Sequence, residues 1–236
     1  MGGTNATRSA QPLEGVAIFA DLPAETLARI QKRCSFRRYQ PGEPIIDHLD
    51  SSDDVFFIAA GETRVSIYSM AGKVVSFCDL GPGDMFGEYA AIDRAPRSAS
   101  IEARTSCQIA SMPGSAFREL LQSEPKIAMA LLKQAVLKVR ALTTRVYEFS
   151  ALAVANRIQA ELLRLAKSAR QDGRTARISP VPTHADIASR ISTHREAVTR
   201  ELNQLARAGI LERSANALVV KDVERLEAMV QEITGE

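Results

Sequence analysis

The period of the hydrophobic residues changes near residue 115, and this change limits the possible folds more than any other feature of the chain. From Arg37 to Met112 the sequence reads as short extended runs: Val55 to Ala60, Arg64 to Ser69, Val74 to Leu80, Ser98 to Ala103 and Cys107 to Met112. Pro41-Gly42-Glu43, Gly61-Glu62, Ala71-Gly72 and Gly81-Pro82-Gly83-Asp84 punctuate them as turns. Short strands at about ten-residue spacing predict a small antiparallel β-sandwich or jelly roll, or a barrel. The segment Pro23 to Lys32, apolar at helical spacing, is expected to pack beside it.

After Ser123-Glu124-Pro125 the pattern turns helical, and Pro125 suits a first helical turn. Leu132, Ala135, Val139, Leu142, Val146 and Phe149 recur at alternating intervals of three and four, flanked by Lys133, Lys138, Arg140 and Arg145. A heptad stripe needs an apolar partner, either its own sandwich or the same helix of a second copy. The chain therefore reads as α+β, with a sheet domain over 15–124, a long helix over 125–150 and a C-terminal domain over 151–236.

Composition and charge narrow the class. With 236 residues, 45% hydrophobic and 25% charged, the chain has an ordinary globular composition. Cys34, Cys78 and Cys107 are scattered, without a CxxC or a neighbouring histidine, so neither a zinc cluster nor a redox pair is expected, and a reducing cytoplasm is. The first thirteen residues lack the apolar core of a signal peptide, and the longest apolar run, Val55 to Ala60, is far too short to span a membrane. Net charge is only +2, but residues 151–214 carry ten arginines and one lysine against six carboxylates, a local +5, followed by an acidic tail.

Two stretches carry chemistry. FGEYAAIDRAPRSAS, residues 86–100, offers a glycine that permits close backbone approach, the Glu88 carboxylate as an acceptor for vicinal hydroxyls, the Arg97 fork of donors for a phosphate, and the Ser98 hydroxyl and N–H. A carboxylate for a ribose and an arginine for a phosphate describe a nucleotide monophosphate site; a Glu88–Arg97 salt bridge across the turn is the alternative. The second stretch begins at Thr183. Thr183 with Asp186, and Thr193 with Glu196, have the capping-box form and predict two short helices joined at Ile191-Ser192. Val198, Leu202 and Leu205 line one face of the second helix, leaving Arg195, Glu196, Thr199 and Arg200 on or near the other. With a two-stranded wing at Gly209 to Arg213 and Ala217 to Lys221, the pattern fits a winged helix-turn-helix on DNA; an inert amphipathic hairpin is the alternative.

Gly87, Glu88, Arg97, Ser98 and Ala99 resemble the phosphate-binding cassette of cyclic-nucleotide-binding domains, where F-G-E precedes a short variable stretch and R-[ST]-A. Joined by the heptad helix to the second stretch, the whole resembles the cyclic-AMP receptor protein/FNR superfamily of bacterial transcription regulators over roughly residues 15–225, with VANRIQAELLRLAK at 154–167 similar to the first helix after the hinge. The resemblance implies a pocket bordered by Phe86, Gly87 and Ala99, with Glu88 on the ribose 2′-hydroxyl and Arg97 and Ser98 on the cyclic phosphate. It implies that Arg195 and Arg200 read guanines, that Glu196 reads a cytosine amino group, and that Thr183, His184 and His194 lie at backbone contacts. Where the cyclic-AMP branch places two hydroxyl residues against the adenine amino group, this chain has Leu142 and Thr143, with Thr144 next. Cyclic AMP is the implied effector, with cyclic GMP open. The implied partners are a pseudo-palindromic DNA operator, a second copy of the chain and RNA polymerase, and no membrane. No cysteine precedes Cys34 as in the iron–sulfur branch, and Asp79-Leu80 follow Cys78 without the histidine of the haem branch.

Overall fold

A computed structural model describes residues 13–68, 74–214 and 216–234. The expected turn at Ala71-Gly72 lies outside them, as does most of the segment read for a signal peptide. Helix α1 (Ala24–Gln31) buries Leu27 and Ile30 and leads into eight short strands: β1 (Ser35–Tyr39), β2 (Pro44–Ile46), β3 (Val55–Ala60), β4 (Thr63–Tyr68), β5 (Val74–Leu80), β6 (Met85–Phe86), β7 (Ser100–Ala103) and β8 (Cys107–Met112). A short helix α2 (Glu88–Asp93) interrupts them between β6 and β7. The strands form two four-stranded sheets, ordered β1-β8-β3-β6 and β2-β7-β4-β5.

Strand β3 explains why Val55 to Ile58 is apolar without alternation. It pairs antiparallel with β8, Val55 opposite Met112 and Phe57 opposite Ala110, and with β6, Phe56 opposite Phe86. Successive side chains enter opposite cores. Val55 and Phe57 pack with Leu13, Phe19, Phe117 and Ile127, while Phe56 and Ile58 pack between the sheets with Tyr39, Ile46, Phe86 and Ile101. A strand covered on both faces reads as a continuous apolar run.

The helical region starts earlier than Pro125. Helix α3 (Gly114–Ser123) follows Pro113 and buries Phe117 and Leu120, in keeping with the change of period near 115. Helix α4 (Pro125–Ala151) then starts at the expected proline and ends one residue past the expected boundary. Its first turn is anchored by Ile127, which is fully buried. Farther along, Leu132, Val139, Leu142 and Val146 are 56%, 61%, 54% and 64% exposed, so in this chain the heptad stripe is uncovered.

The boundary between two compact units falls within α4, after Leu137, with Val74–Ser76 grouped with the second. The second unit continues with α5 (Val154–Ser168), β9 (Arg170–Asp172), β10 (Thr175–Ile178), α6 (His184–Arg190), α7 (Arg195–Arg207), β11 (Leu211–Ser214), β12 (Ala217–Val220) and α8 (Val223–Thr234). Ile158, Leu162, Ile187, Ile191, Val198, Leu202 and Leu226 share one core. The expected two-stranded wing is half of a four-stranded sheet, β11-β12-β10-β9. Ala176 and Ile178 of β10 pair against Val220 and Leu218 of β12, which covers apolar residues that a lone hairpin would expose.

A buried ionic cluster joins α4, α5 and α6 within this unit. Glu161 of α5 is 1% exposed, and its Oε2 accepts from Arg145 Nη2 of α4 at 3.0 Å and from Arg164 Nε at 3.0 Å. Its Oε1 faces Arg190 Nη1 of α6 at 3.4 Å, Arg164 Nη1 donates to Glu148 Oε1 at 2.7 Å, and Arg145 Nη1 donates to the Arg190 carbonyl at 2.8 Å. Burial depresses the Arg145 guanidinium, opposed by Glu161; burial also pulls on Arg164, but its bond to Glu148 and the Glu161 charge outweigh this and hold it above its ordinary value. Removing one partner of a buried pair strands the others and costs about 3–5 kcal/mol. We expect Glu161→Ala to lower the unfolding free energy of the second unit by that order, read by denaturant titration, while Lys167→Ala, in an exposed pair with Glu227, changes it by less than about 1 kcal/mol.

Candidate nucleotide cassette and nucleic-acid interface

The cassette is built around a left-handed glycine. Gly87 has φ +84° and occupies the N-cap position of α2; a Cβ there would lie 2.7 Å from the Asp54 carbonyl oxygen and 2.8 Å from Arg97 Nη1. Glycine is thus required twice, for backbone handedness and for space. Phe86 is buried, its ring stacked on Phe56 with centroids 5.1 Å apart. Glu88 opens α2 and is 6% exposed.

Arg97 is 2% exposed. Its Nε donates to Ser52 Oγ at 3.1 Å, Nη1 to the Gly87 carbonyl at 3.0 Å and Nη2 to the Asp54 carbonyl at 2.9 Å, with the guanidinium 5.8 Å from the Phe56 ring centre. Burial lowers its pKa, opposed by the charges of Asp54, Asp50, Asp53 and Glu88, and an arginine so placed stays protonated. These bonds engage three of its five N–H donors and leave one on each terminal nitrogen, a spacing suited to two phosphate oxygens. The structure thus brings Phe86, Gly87, Glu88 and Arg97 together. Ser98 is exposed and Ala99 half-buried on the strand side. The segment 50–54 forms another wall that the sequence reading did not include: the Arg97 N–H donates to the Asp50 carbonyl at 2.9 Å, and its side chain reaches Ser52 and Asp54. The signal available was Ser51-Ser52-Asp53-Asp54, a polar run directly before the most buried strand.

Thr143 and Thr144 belong to the second unit and are exposed on α4. Their hydroxyls donate to the Val139 and Arg140 carbonyls at 3.0 and 3.2 Å, so their oxygen lone pairs are what they offer a ligand.

On the second unit, Thr183 caps α6 as expected: its Oγ1 accepts from the Asp186 N–H at 3.0 Å, and its own N–H donates to Asp186 Oδ2 at 3.1 Å. The second capping box does not form. The Thr193 N–H donates to the Ala188 carbonyl at 3.0 Å, the N-cap position of α7 passes to the exposed His194 without a side-chain bond, and Glu196 pairs with Arg195 at 3.2 Å. The Glu196 carboxyl is held below its ordinary value first by its own backbone N–H and then by Arg195. Val198, Glu201, Leu202 and Leu205 are buried, Glu201 accepting from Gln159 Nε2 at 2.7 Å. The outer face presents Arg195, Glu196, Thr199 and Arg200 around a shallow depression of about 730 Å³. Asn203, Gln204 and Arg207 complete its lining; they were missed, although i+4 spacing from Thr199, Arg200 and Asn203 places them on the same face.

His184 is engaged by neighbours within the unit. Its ring is half-buried, with Nδ1 2.6 Å from Thr199 Oγ1 and Nε2 3.1 Å from Arg213 Nη2 of β11. The ring thus ties α6, α7 and the wing to one another.

A buried Gly-Glu…Arg cassette on a β-sandwich, followed on the same chain by a winged helix-turn-helix with an exposed arginine face, defines a DNA-binding regulator that carries a nucleotide-binding domain. Residues 36–124 match the cyclic nucleotide-binding domain family and residues 156–229 the Crp-like helix-turn-helix domain family. The chain belongs to the cyclic-AMP receptor protein/FNR superfamily of bacterial transcription regulators and is a regulator rather than an enzyme. It is 28% identical over 200 residues to the cAMP-activated global transcriptional regulator CRP of Salmonella typhimurium, covering 83% of this chain and 93% of that protein. It is 25% identical over 215 residues to the CRP-like cAMP-activated global transcriptional regulator of Mycobacterium tuberculosis, covering 91% and 96%. Among solved structures, the c-di-GMP responsive global regulator CLP of Xanthomonas campestris aligns with a TM-score of 0.72 at 21% identity, over 84% of this chain and 99% of that one. No helix among the described residues is long and apolar enough to cross a membrane.

Two outcomes follow from this geometry. Gly87→Ala forces an L-residue into the left-handed region, at about 1–2 kcal/mol before any clash with the Asp54 carbonyl, and should lower the melting temperature of the first unit. Burial, then the Arg213 and Arg195 charges, hold the His184 pKa below its ordinary value, so the unfolded chain takes up that proton first. The stabilisation from this group is complete above about pH 6.5 and is lost as pH falls below it. Unfolding measured against pH should show a shallower loss between about pH 6.5 and 5 in His184→Gln than in the unaltered chain.

Proposed function

We propose that the chain is a homodimeric transcription regulator, switched by a cyclic nucleotide bound at Gly87, Glu88, Arg97 and Ser98, and that cyclic AMP is the effector. The observation that carries the reading is the buried Arg97 guanidinium, fixed on three sides with one donor left on each terminal nitrogen. Glu88 then meets the ribose 2′-hydroxyl, and Thr143 or Thr144 meets the base. Both threonine hydroxyls lie within hydrogen-bonding distance of backbone carbonyls and keep oxygen lone pairs that suit an adenine amino group. The names of the Salmonella and Mycobacterium relatives agree with cyclic AMP. A second reading, cyclic GMP or another effector, draws on Leu142 in the pair position and on the c-di-GMP response named for the Xanthomonas relative.

The uncovered stripe Leu132, Val139, Leu142 and Val146 supports pairing of α4 with α4 of a second copy. A symmetric dimer then places two α7 faces on successive major grooves of a pseudo-palindrome, about 34–36 Å apart, with Arg195 and Arg200 on guanines and Glu196 on a cytosine. The segment from Phe149 to Ala155, where α4 ends and α5 begins, is the element whose two states the nucleotide would bias. The protein acts in the cytoplasm, with RNA polymerase as the downstream partner.

Titration calorimetry with cyclic AMP and cyclic GMP tests the site. Arg97→Ala should abolish nucleotide binding while circular dichroism stays native, and unchanged affinity would refute the assignment. Arg200→Ala should cost about 1–3 kcal/mol on a selected operator and relax one base position; equal loss on every sequence would make it a phosphate contact.

A further inference from the structure

We propose that His184 is a positioning residue for DNA binding: as a neutral imidazole it ties the recognition helix to the wing and holds the Arg213 guanidinium where it contacts a phosphate. The inference rests on the DNA-reading role of α7. Arginine has no acceptor, so in the 3.1 Å contact Arg213 Nη2 donates and His184 Nε2 accepts. Nε2 therefore carries no proton, and Nδ1 carries the ring's one N–H. That N–H donates to Thr199 Oγ1 at 2.6 Å, while the Thr199 hydroxyl donates to the Arg195 carbonyl at 2.9 Å. Every proton in the chain Arg213, His184, Thr199, Arg195 is assigned, and each runs toward α7.

The chain starts on β11 and ends on the first residue of α7, so one ring sets the position of the wing arginine relative to the base-reading face. The cations acting on His184 are Arg213 from β11 and Arg195 from α7; on its own helix Asp186 is engaged in the Thr183 cap. A proton on Nε2 would set two donors against each other and release Arg213.

The test uses the full-length protein with cyclic AMP and a duplex selected by that protein from a random pool, its affinity read by fluorescence anisotropy at several salt concentrations. Each phosphate contact adds about one to the slope of log affinity against log salt. Arg213→Ala and His184→Ala are each expected to lower the slope by about one, and the double variant by no more than either alone. His184→Gln, which carries one acceptor and one donor group, is expected to keep the slope. Should His184→Ala fail to fold, Arg213→Ala and His184→Phe, which keeps a ring without an acceptor, decide: each should lower the slope by about one, while His184→Gln keeps it. An unchanged slope in Arg213→Ala overturns the proposal, as does a His184→Ala slope equal to that of the unaltered chain. If the selection enriches no duplex, the DNA-reading role falls, and this inference with it.

Discussion

The Glu161 carboxylate, almost wholly withdrawn from water, is the point on which the second unit depends. Three arginines from three helices converge on it, and each brings a second attachment: Arg145 to the carbonyl that ends α6, Arg164 to Glu148, Arg190 through its own backbone. An apolar plug of equal volume could stabilise the same space as well or better. It would lack direction. A guanidinium fork satisfies a carboxylate in few orientations, so the cluster fixes the rotation of the last turns of α4 against α5 and α6. The α6–α7 pair, and the face it offers to DNA, inherits that orientation.

Arginine serves both regions, and burial decides what it does. Arg97 is enclosed, so its position is set by carbonyls of Gly87 and Asp54 and its charge acts in a poorly screened setting. Arg195 and Arg200 stand in solvent, where salt screens them and contact with a duplex releases counterions. The first arrangement favours recognition of one small anion in one pose. The second favours a long polyanion approached from many directions.

The parts legible in the sequence are those with a local signal. The apolar run of β3, the start of α4 at Pro125 and the Thr183–Asp186 cap each follow from residues a few positions apart. The reading failed where the folded chain supplied a partner other than the one the spacing suggested. Thr193 and Glu196 have the capping spacing, yet the Thr193 N–H goes to Ala188 and Glu196 goes to Arg195. Arg145, Glu148, Glu161, Arg164 and Arg190 each look like the polar side of an amphipathic helix, and nothing in their separations of 16 or 29 residues announces a buried cluster. His184 has the same character, since its partners lie 15 and 29 residues away. Ser52 and Asp54 border the cassette only because the sheet folds their loop over Arg97.

The pairing of Arg195 with Glu196 bears on how quickly the protein can search a genome. Grip on arbitrary DNA grows with each cation set against a phosphate, and a carboxylate beside Arg195 subtracts from that grip. Both side chains are about three-quarters exposed, so water screens their bond and it opens at little cost. In the role proposed for this face, the closed pair lets the protein leave wrong sequences sooner, and the open pair offers a donor and an acceptor to base edges. Residence time at wrong sites is then shortened by the same two residues proposed to recognise the right one.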